Sequence, residues 1–370
     1  MTQAPDDFHL QRSSRDPDAM ASRLRDWLGE ETGGPVEVRL SGGSDANGMS
    51  SDTLLADVAW AGETGAFVLR LAPSPGDVPV FRSYRLDHQY DVLRLVGRLT
   101  AVPVPEPRWL EPTGAVLGAP FFLMERIHGL VPPDVMPYPF GDNWLFDASP
   151  EQQRALQEAS VGVLGRLHSI PRAEEIFGFL DRAAEGATPL RRHVQDTRDW
   201  YAWAAADLGS SPLVERALAW LEREWPAADR PDNVVLSWGD ARIGNVLYRD
   251  FAPVAVLDWE MAGLGPREID LGWMVFAHRV FQGLAEAFEL PGMPDFLRVG
   301  DVRSSYLRET GVEVGDLTWF EVYAAVIWAV VFLRTGARQV HFGEIPMPQD
   351  VEALFHHRPL LAALLDEVGA

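Results

Sequence analysis

Three oxygen-bearing side chains lie close together in the stretch 238–260. Asp240 is followed five residues later by Asn245, and Asp258 comes thirteen residues after that. The residues between Asn245 and Asp258 have the pattern of a tight β-hairpin, which would fold Asp258 back toward the other two side chains. Gly244 lets the backbone pass closely or take a positive φ angle beside Asn245. Phosphoryl transfer uses such a set, because one carboxylate orients the attacking hydroxyl and takes its proton while an Asn–Asp oxygen pair holds Mg²⁺ against the phosphates.

The composition removes several other kinds of chemistry. The 370 residues include no cysteine, and all 32 basic residues are arginine. Thiol nucleophiles, cysteine-bound metal sites, Schiff-base lysines and the Walker phosphate loop each need a residue that this chain lacks. With 54 acidic residues the formal net charge is −22. Such a charge argues against nucleic acid as a partner and would attract cationic small molecules.

Two groups of elements must position the chemical residues. Up to about residue 125 the patterns predict a β-rich unit with helices at 19–31 and 84–99 and strands at 36–40, 53–60, 67–71, 108–111 and 121–127. From Pro150 onward the pattern is mainly helical, with helices at 150–168, 190–208, 212–225, 266–288 and 317–335 around the hairpin. We therefore predict an α+β protein of two lobes.

A glycine- and serine-rich loop at 41–51 joins the first two predicted strands. Since a strand follows it, the loop does not have the strand-to-helix setting of a dinucleotide fingerprint. A glycine-rich hairpin that covers the phosphates of ATP fits this setting, and so does a plain surface hairpin. Gly48, Ser50 and Ser51 are the candidates for phosphate contact.

The pattern Trp-Gly-Asp-Ala-Arg-Ile-Gly-Asn at 238–245, followed by Asp-Trp-Glu at 258–260, resembles the catalytic loop of the aminoglycoside phosphotransferase (choline-kinase-like, protein-kinase-like) superfamily. It is most similar to the branch whose kinase domains are linked to acyl-CoA dehydrogenases. The resemblance implies a protein-kinase-like fold that uses ATP and Mg²⁺. It divides the chain into a flexible N-terminus (1–20), a nucleotide-binding N-lobe (21–125) and a larger C-lobe with the catalytic and acceptor sites (126–370).

The resemblance also implies roles for individual residues of the C-lobe. Asp240 corresponds to the catalytic base, and Arg242 lies beside it in the shared Asp-x-Arg pattern as a second catalytic candidate. Asn245 and Asp258 correspond to the Mg²⁺ ligands. Asp270 corresponds to a buried carboxylate that braces the catalytic loop from a helix. Where the superfamily usually has histidine, this chain has Trp238.

The nucleotide side departs further from the superfamily pattern. Arg70 stands on the third strand where the superfamily has a phosphate-binding lysine, and Gln89 stands where a helical glutamate usually pairs with that lysine. Arg70 is thus expected to be held by Asp87 or Asp91, or to be oriented by ATP alone. An ordinary solvent-facing strand residue is the alternative for Arg70.

The segment 121–129 resembles the hinge of the superfamily. Met124 would lie behind the adenine, while the Glu125 carbonyl and the Ile127 amide would pair with its edge. A buried edge strand fits the same composition.

Three other features complete the prediction. His168 is interpreted as a hydrogen-bonded interior histidine, and the segment 131–146 either caps the acceptor pocket or is a packed structural loop. The longest uncharged apolar run, 322–333, is too short to cross a bilayer, which takes about 20 residues. The N-terminal residues lack the apolar core of a signal peptide, so a cytoplasmic protein is expected.

These observations predict transfer of the γ-phosphoryl group of ATP to a hydroxyl of a small molecule. An aminoglycoside, a hydroxyacyl thioester and another metabolite hydroxyl all remain open as acceptors, and GTP remains open as donor. The alternative is a nucleotide-binding pseudokinase that acts as a regulatory module. No nucleic-acid or membrane partner is expected, and the oligomeric state is left open.

Overall fold

The structure, a computed structural model, describes residues 15–42 and 52–370. The predicted phosphate contacts Gly48, Ser50 and Ser51 lie outside the described residues, as do the first 14 residues of the predicted flexible N-terminus. Residues 17–20, which were predicted to be flexible, belong to helix α1, which begins at Pro17 and is capped by the Asp16 side chain.

The first part of the chain forms an antiparallel sheet with two helices. Its five strands run in the order β1-β2-β3-β5-β4, so the fourth and fifth strands form the predicted hairpin. The elements are α1 (Pro17–Thr32), β1 (Val36–Gly42), β2 (Asp52–Trp60), β3 (Glu63–Leu71), α2 (Leu86–Leu99), β4 (Pro107–Glu111) and β5 (Phe121–Glu125).

The alternation of side chains along β3 determines the direction in which Arg70 points. Successive side chains of a strand point to opposite faces, and along β3 Phe67 and Leu69 are buried in the apolar core. Arg70 therefore points to the other face, where it is 7% exposed. Helix α2 packs its apolar residues against β4 and β5.

The second part is mainly helical and carries two small two-stranded sheets, β6–β9 and β7–β8. The strands are β6 (Val235–Ser237), β7 (Val246–Arg249), β8 (Ala252–Val256) and β9 (Gly263–Gly265). The helices are α3 (Pro150–His168), α4 (Ala173–Ile176), α5 (Pro189–Leu208), α6 (Pro212–Arg223), α7 (Glu268–Ala287), α8 (Val299–Thr310), α9 (Thr318–His341) and α10 (Arg358–Glu367).

Helix α9 is the centre of this helical lobe and packs against α5, α6 and α7. It is six residues longer at its C-terminal end than predicted, and among the described residues it is the one helix whose length and composition would allow it to cross a membrane. Inside the protein 78% of its apolar window is buried. Its apolar character is therefore that of a core helix.

After β5 the chain passes to the helical lobe, where it lies beside β7. Leu130 and Tyr248 exchange two backbone hydrogen bonds of 2.8 Å, which fix the connecting segment to β7. The following residues, 131–146, are held by their own side chains, since the Asn143 amide donates to the carbonyls of Tyr138 and Gly141 and the Trp144 indole donates to the Val131 carbonyl.

Candidate active site

Asp270 on α7 organises the start of the catalytic loop. Its carboxylate is fully buried and accepts hydrogen bonds from Ser237 Oγ (2.7 Å), Trp238 N (2.8 Å) and Gly239 N (2.9 Å). His168 Nε2 lies 2.9 Å from the second carboxylate oxygen. A buried carboxylate is stable only when such donors surround it. Asp270 therefore fixes the backbone that leads to Asp240.

His168 is an interior histidine, as predicted. It is buried, and its Nδ1 lies 3.0 Å from the Tyr306 hydroxyl while Nε2 contacts Asp270. Because a carboxylate accepts, Nε2 carries a proton in this contact. The chain Tyr306–His168–Asp270 links α8, α3 and α7 to the catalytic loop.

Gly239 makes the turn into the loop possible. Its φ of 90° is one that side chains rarely adopt, and a Cβ there would collide with the backbone of Met261. The loop therefore lies directly against the chain that follows Asp258.

Trp238 stands where the superfamily usually has histidine, and it packs in the protein interior. It is 1% exposed, and its ring centroid lies 6.0 Å from that of Trp259. Its indole Nε1 donates to the Leu257 carbonyl at 2.8 Å. The substitution thus ties the catalytic loop to the residue that precedes Asp258.

Asp240 is held by three donors. Asn245 Nδ2 donates to one carboxylate oxygen at 2.7 Å, Trp273 Nε1 donates to the other at 2.8 Å, and Arg242 Nε lies 3.0 Å away. The side chain is 17% exposed, so one side of the carboxylate still faces solvent. A carboxylate in this state is oriented and accessible, which is what a base for a substrate hydroxyl needs.

Arg242 joins Asp240 to the segment 131–146. Its guanidinium forms ion pairs with Asp240 and with Asp134 of that segment. Burial alone would lower the pKa of Arg242, but the two carboxylates outweigh it and raise the pKa above its ordinary value. Gly244 leaves room for this ion pair, since a Cβ there would lie 2.7 Å from Arg242 Nη1 and closer still to Asp134. Gly244 is therefore needed for close approach and not for a positive φ.

The two predicted metal ligands lie at one corner of the β7–β8 hairpin. Leu257 N donates to the Asn245 carbonyl at 2.8 Å, which brings the residue before Asp258 beside the asparagine. Asp258 itself has a φ of 59°, a left-handed conformation that costs energy for a residue other than glycine.

The donor set suits Mg²⁺. One amide oxygen and one carboxylate are hard oxygen donors, and Mg²⁺ is usually held by one or two protein carboxylates together with substrate phosphates. Within the described residues no group of three His, Cys, Asp or Glu side chains is arranged to hold a metal by itself. A cation already lies against Asp258, because Arg70 Nη2 is 3.1 Å from its Oδ1.

The expectation for Arg70 was wrong in its partners. The guanidinium contacts Asp258, lies 3.5 Å from Glu260 and donates to Thr53 Oγ1 at 3.3 Å. The two helix carboxylates proposed for it have nearer partners within their own helix or beside it: Asp87 pairs with Arg85 at 2.7 Å and Asp91 pairs with Arg94 at 3.0 Å. Gln89 is buried in α2, 5% exposed.

The predicted hinge residues lie at the end of the sheet. Met124 is buried on β5 between β3 and β4, and Glu125 is exposed, with its amide donating to the Glu106 carbonyl at 2.9 Å. Ile127 follows the strand and is half-buried. Their proposed contacts with the adenine of ATP remain predictions.

The sequence gives no role to Trp273 or Glu260, and it places Asp134 in the segment 131–146 without indicating its pairing with Arg242. Trp273 lies three residues after Asp270, nearly one helical turn further along α7, and that spacing could have pointed to it. Glu260 belongs to the quoted Asp-Trp-Glu pattern but was given no role. No local pattern indicates the partner of Asp134, which is 108 residues away.

Comparison with known proteins agrees with this geometry. The structure resembles that of a Ralstonia eutropha protein provisionally named an aminoglycoside phosphotransferase, with a TM-score of 0.64, 20% identity and coverage of 93% of this chain and 96% of that one. It also resembles aminoglycoside phosphotransferase APH(4)-Ia, solved as a thermostable mutant with ADP and hygromycin B, with a TM-score of 0.55, 15% identity and coverage of 94% and 99%. The fold is thus the two-lobed, protein-kinase-like fold of these enzymes.

The sequence comparison defines the family. The profile of the phosphotransferase enzyme family matches residues 47–295, about two thirds of the chain. The chain therefore belongs to the phosphotransferase enzyme family. A curated relative, the Arabidopsis thaliana protein named "Probable acyl-CoA dehydrogenase IBR3", is 25% identical over 304 residues, which cover 78% of this chain. The chain spans only 35% of the length of that relative.

Proposed function

We propose that this phosphotransferase is a Mg²⁺- and ATP-dependent kinase of a small molecule, which transfers the γ-phosphoryl group to a hydroxyl. The observation that carries the proposal is the Asp240 carboxylate, which three donors orient while one side stays open. In this role Asp240 aligns the acceptor hydroxyl and takes its proton as the oxygen attacks the γ-phosphorus.

The other charged residues divide the work around that carboxylate. Asn245 and Asp258 would hold Mg²⁺, which neutralises charge on the phosphates when bound. Arg70 would contact phosphate oxygens, for which the fork of a guanidinium is well suited. Arg242 is occupied by Asp240 and Asp134, which supports a positioning role.

The acceptor is proposed as a hydroxylated small molecule of either of two classes. The solved APH(4)-Ia complex holds hygromycin B, and a net charge of −22 would attract a cationic acceptor of that kind. The name of the curated relative refers instead to an acyl-CoA, and a thioester of that kind with a hydroxyl on its acyl chain is the second class. Asp134 brings the segment 131–146 to the catalytic loop, so this segment is the candidate wall of the acceptor site.

A binding module without turnover is the second candidate. Arg70 already pairs with Asp258, the residue assigned to the metal, and this contact favours a form that binds nucleotide without reacting. A kinase would exchange this contact for Mg²⁺ and phosphate when ATP binds.

An ADP-release screen tests the proposal. ATP or GTP with Mg²⁺ is offered with aminoglycosides, hydroxyacyl thioesters and other hydroxylated metabolites, and Asp240→Asn serves as the blank. Acceptor-dependent ADP release that vanishes in Asp240→Asn supports the kinase. Nucleotide binding without turnover for any acceptor favours the binding module, and a chain that binds neither ATP nor GTP contradicts both.

A further inference from the structure

The acidic partners of Arg70 lie in the helical lobe and not on helix α2, where the superfamily usually has a glutamate. Arg70 lies on β3, but the carboxylates that face it, Asp258 and Glu260, both belong to the loop after β8. All three side chains are largely buried, with exposures of 9%, 16% and 10%. A guanidinium removed from water to this extent requires counter-charges, so these contacts determine where Arg70 points.

Helix α2 offers Arg70 no carboxylate. Its residue at the position of the usual glutamate is the neutral Gln89. Asp87 and Asp91 are about 40% exposed and pair with arginines close to them in sequence. Among the residues that the structure describes, the carboxylates that face Arg70 therefore come from the loop after β8.

We propose that Glu260 is the positioning residue that holds Arg70 in place for the nucleotide phosphates. Of its two acidic partners, Asp258 is the one needed for Mg²⁺, so that only Glu260 can stay with Arg70 once the metal is bound. The loop that supplies the metal ligand then also supplies the partner of the phosphate-binding cation. This inference rests on the proposed function.

A glutamate on the loop after β8 differs in one way from a glutamate on helix α2. Glu260 follows the buried Trp259 and precedes the turn that leads to β9, so it belongs to the helical lobe. A shift of α2 would therefore leave Arg70 paired. Binding of the phosphates would be governed by the catalytic lobe and not by the position of α2.

The test is a double-mutant cycle on ADP binding, measured by calorimetry with EDTA and again with Mg²⁺. Arg70→Ala should weaken binding by about 10- to 100-fold, the value of one or two charge-assisted contacts. With Mg²⁺ present, Glu260→Gln should weaken it by about tenfold, because the metal then engages Asp258 and the nucleotide must order an unpaired arginine side chain. With EDTA the loss should be smaller, since Asp258 still contacts Arg70. In the Glu260→Gln background, Arg70→Ala should cost clearly less than in the wild type, since the two residues act as a unit.

Control variants separate positioning from other effects. Asp91→Asn removes one carboxylate from α2 and should leave ADP affinity unchanged. Glu260→Asp keeps the charge on a shorter side chain and should fall between wild type and Glu260→Gln. Thermal unfolding of each variant shows whether it is folded, and Glu260→Asp carries the test if Glu260→Gln is not.

The outcomes distinguish this inference from the proposed function. With Mg²⁺ present, unchanged or tighter ADP binding by Glu260→Gln, or an equal cost of Arg70→Ala in both backgrounds, overturns the role of Glu260 while leaving the kinase proposal intact. If the wild type binds no ADP, the proposed function fails and the inference fails with it.

Discussion

The two charged groups of the site are held in place in opposite ways. Asp240 takes its donors from its own lobe, two of them within five residues along the chain, Arg242 and Asn245, and one from α7, Trp273. Arg70 takes its acidic partners from the other lobe, with Asp258 188 residues further along the chain. Asp240, the proposed base, is therefore fixed within one lobe, whereas Arg70, the proposed phosphate-binding cation, is fixed only when the two lobes meet.

Because of this difference, changes around Asp240 and changes around Arg70, the two halves of the site, should affect different measured quantities. Loss of a group around Asp240 should lower turnover while nucleotide binding survives. Loss of a group around Arg70 should lower nucleotide affinity first. Asp258 belongs to both halves, because it is a proposed metal ligand that also contacts Arg70.

The largest expected effect is that of Asp240→Asn. The asparagine keeps the shape of the side chain but cannot take the proton of the acceptor, so kcat should fall by about 10²- to 10⁴-fold. ADP affinity should stay within about twofold of the wild type, as expected for a group that acts only in the chemical step. Asp250→Asn, an exposed change in the hairpin turn, is the matched control. Full turnover in Asp240→Asn would mean that another group is the base.

Asp258→Asn tests the residue that the two halves share. Asparagine tolerates the left-handed backbone of this position, so the fold should persist. Coupling between two ligands typically changes affinity by about 5- to 150-fold. The gain in ADP affinity on adding Mg²⁺ should fall well below the wild-type gain in this variant, because an amide oxygen replaces a charged ligand. Calorimetric titration of ADP with and without Mg²⁺ measures it. A Mg²⁺-dependent gain equal to that of the wild type would remove Asp258 from the metal site.

The same contrast explains what could be predicted from the sequence. The catalytic loop, the hairpin and the bracing Asp270 are local patterns, and the structure brings them together as expected. The long helices were also predicted to within a few residues, apart from the C-terminal end of α9, since their apolar periodicity is strong. Helix α8 was missed because only three of its residues are buried, which leaves little periodicity to read.

Long-range partners could not be predicted. Arg70 was expected to pair with a carboxylate nearby in α2, but both candidates pair with neighbouring arginines. Pairing of Arg70 with Asp258 depends on how the sheet lies against the helical lobe, which no local pattern encodes. The ion pair between Asp134 and Arg242 has the same origin.

Trp273→Phe tests whether α7 orients the base. The change removes the 2.8 Å hydrogen bond to Asp240, and a bond to a charged group is worth enough to lower kcat by about tenfold. ADP affinity should not change. Trp259→Phe is matched in chemistry and burial, since both residues are 3% exposed, but its indole donates to the Val256 carbonyl and not to Asp240. Equal kcat values for the two variants would show that only packing is lost.

The smallest expected effect concerns the anchor of the segment that carries Asp134. The Tyr138 hydroxyl of this segment donates to His278 Nδ1 on α7 at 2.8 Å, while Nε2 donates to the Met293 carbonyl at 3.1 Å. Burial lowers the pKa of His278 to about 4, against the opposing effect of the hydrogen bond to Met293. Between that value and the ordinary pKa of about 6.5 the unfolded chain binds more protons, so the free energy of unfolding falls as the pH falls.

For His278 this share is about 0.7 kcal/mol between pH 7 and pH 6. Urea unfolding of the wild type and of His278→Gln at the two pH values measures it, and the loss on acidification should be smaller in the variant by that amount. His341→Gln, at an exposed histidine, should keep the wild-type loss. An identical loss in all three proteins would show that His278 titrates normally, and the anchor of this segment would then not depend on a neutral imidazole.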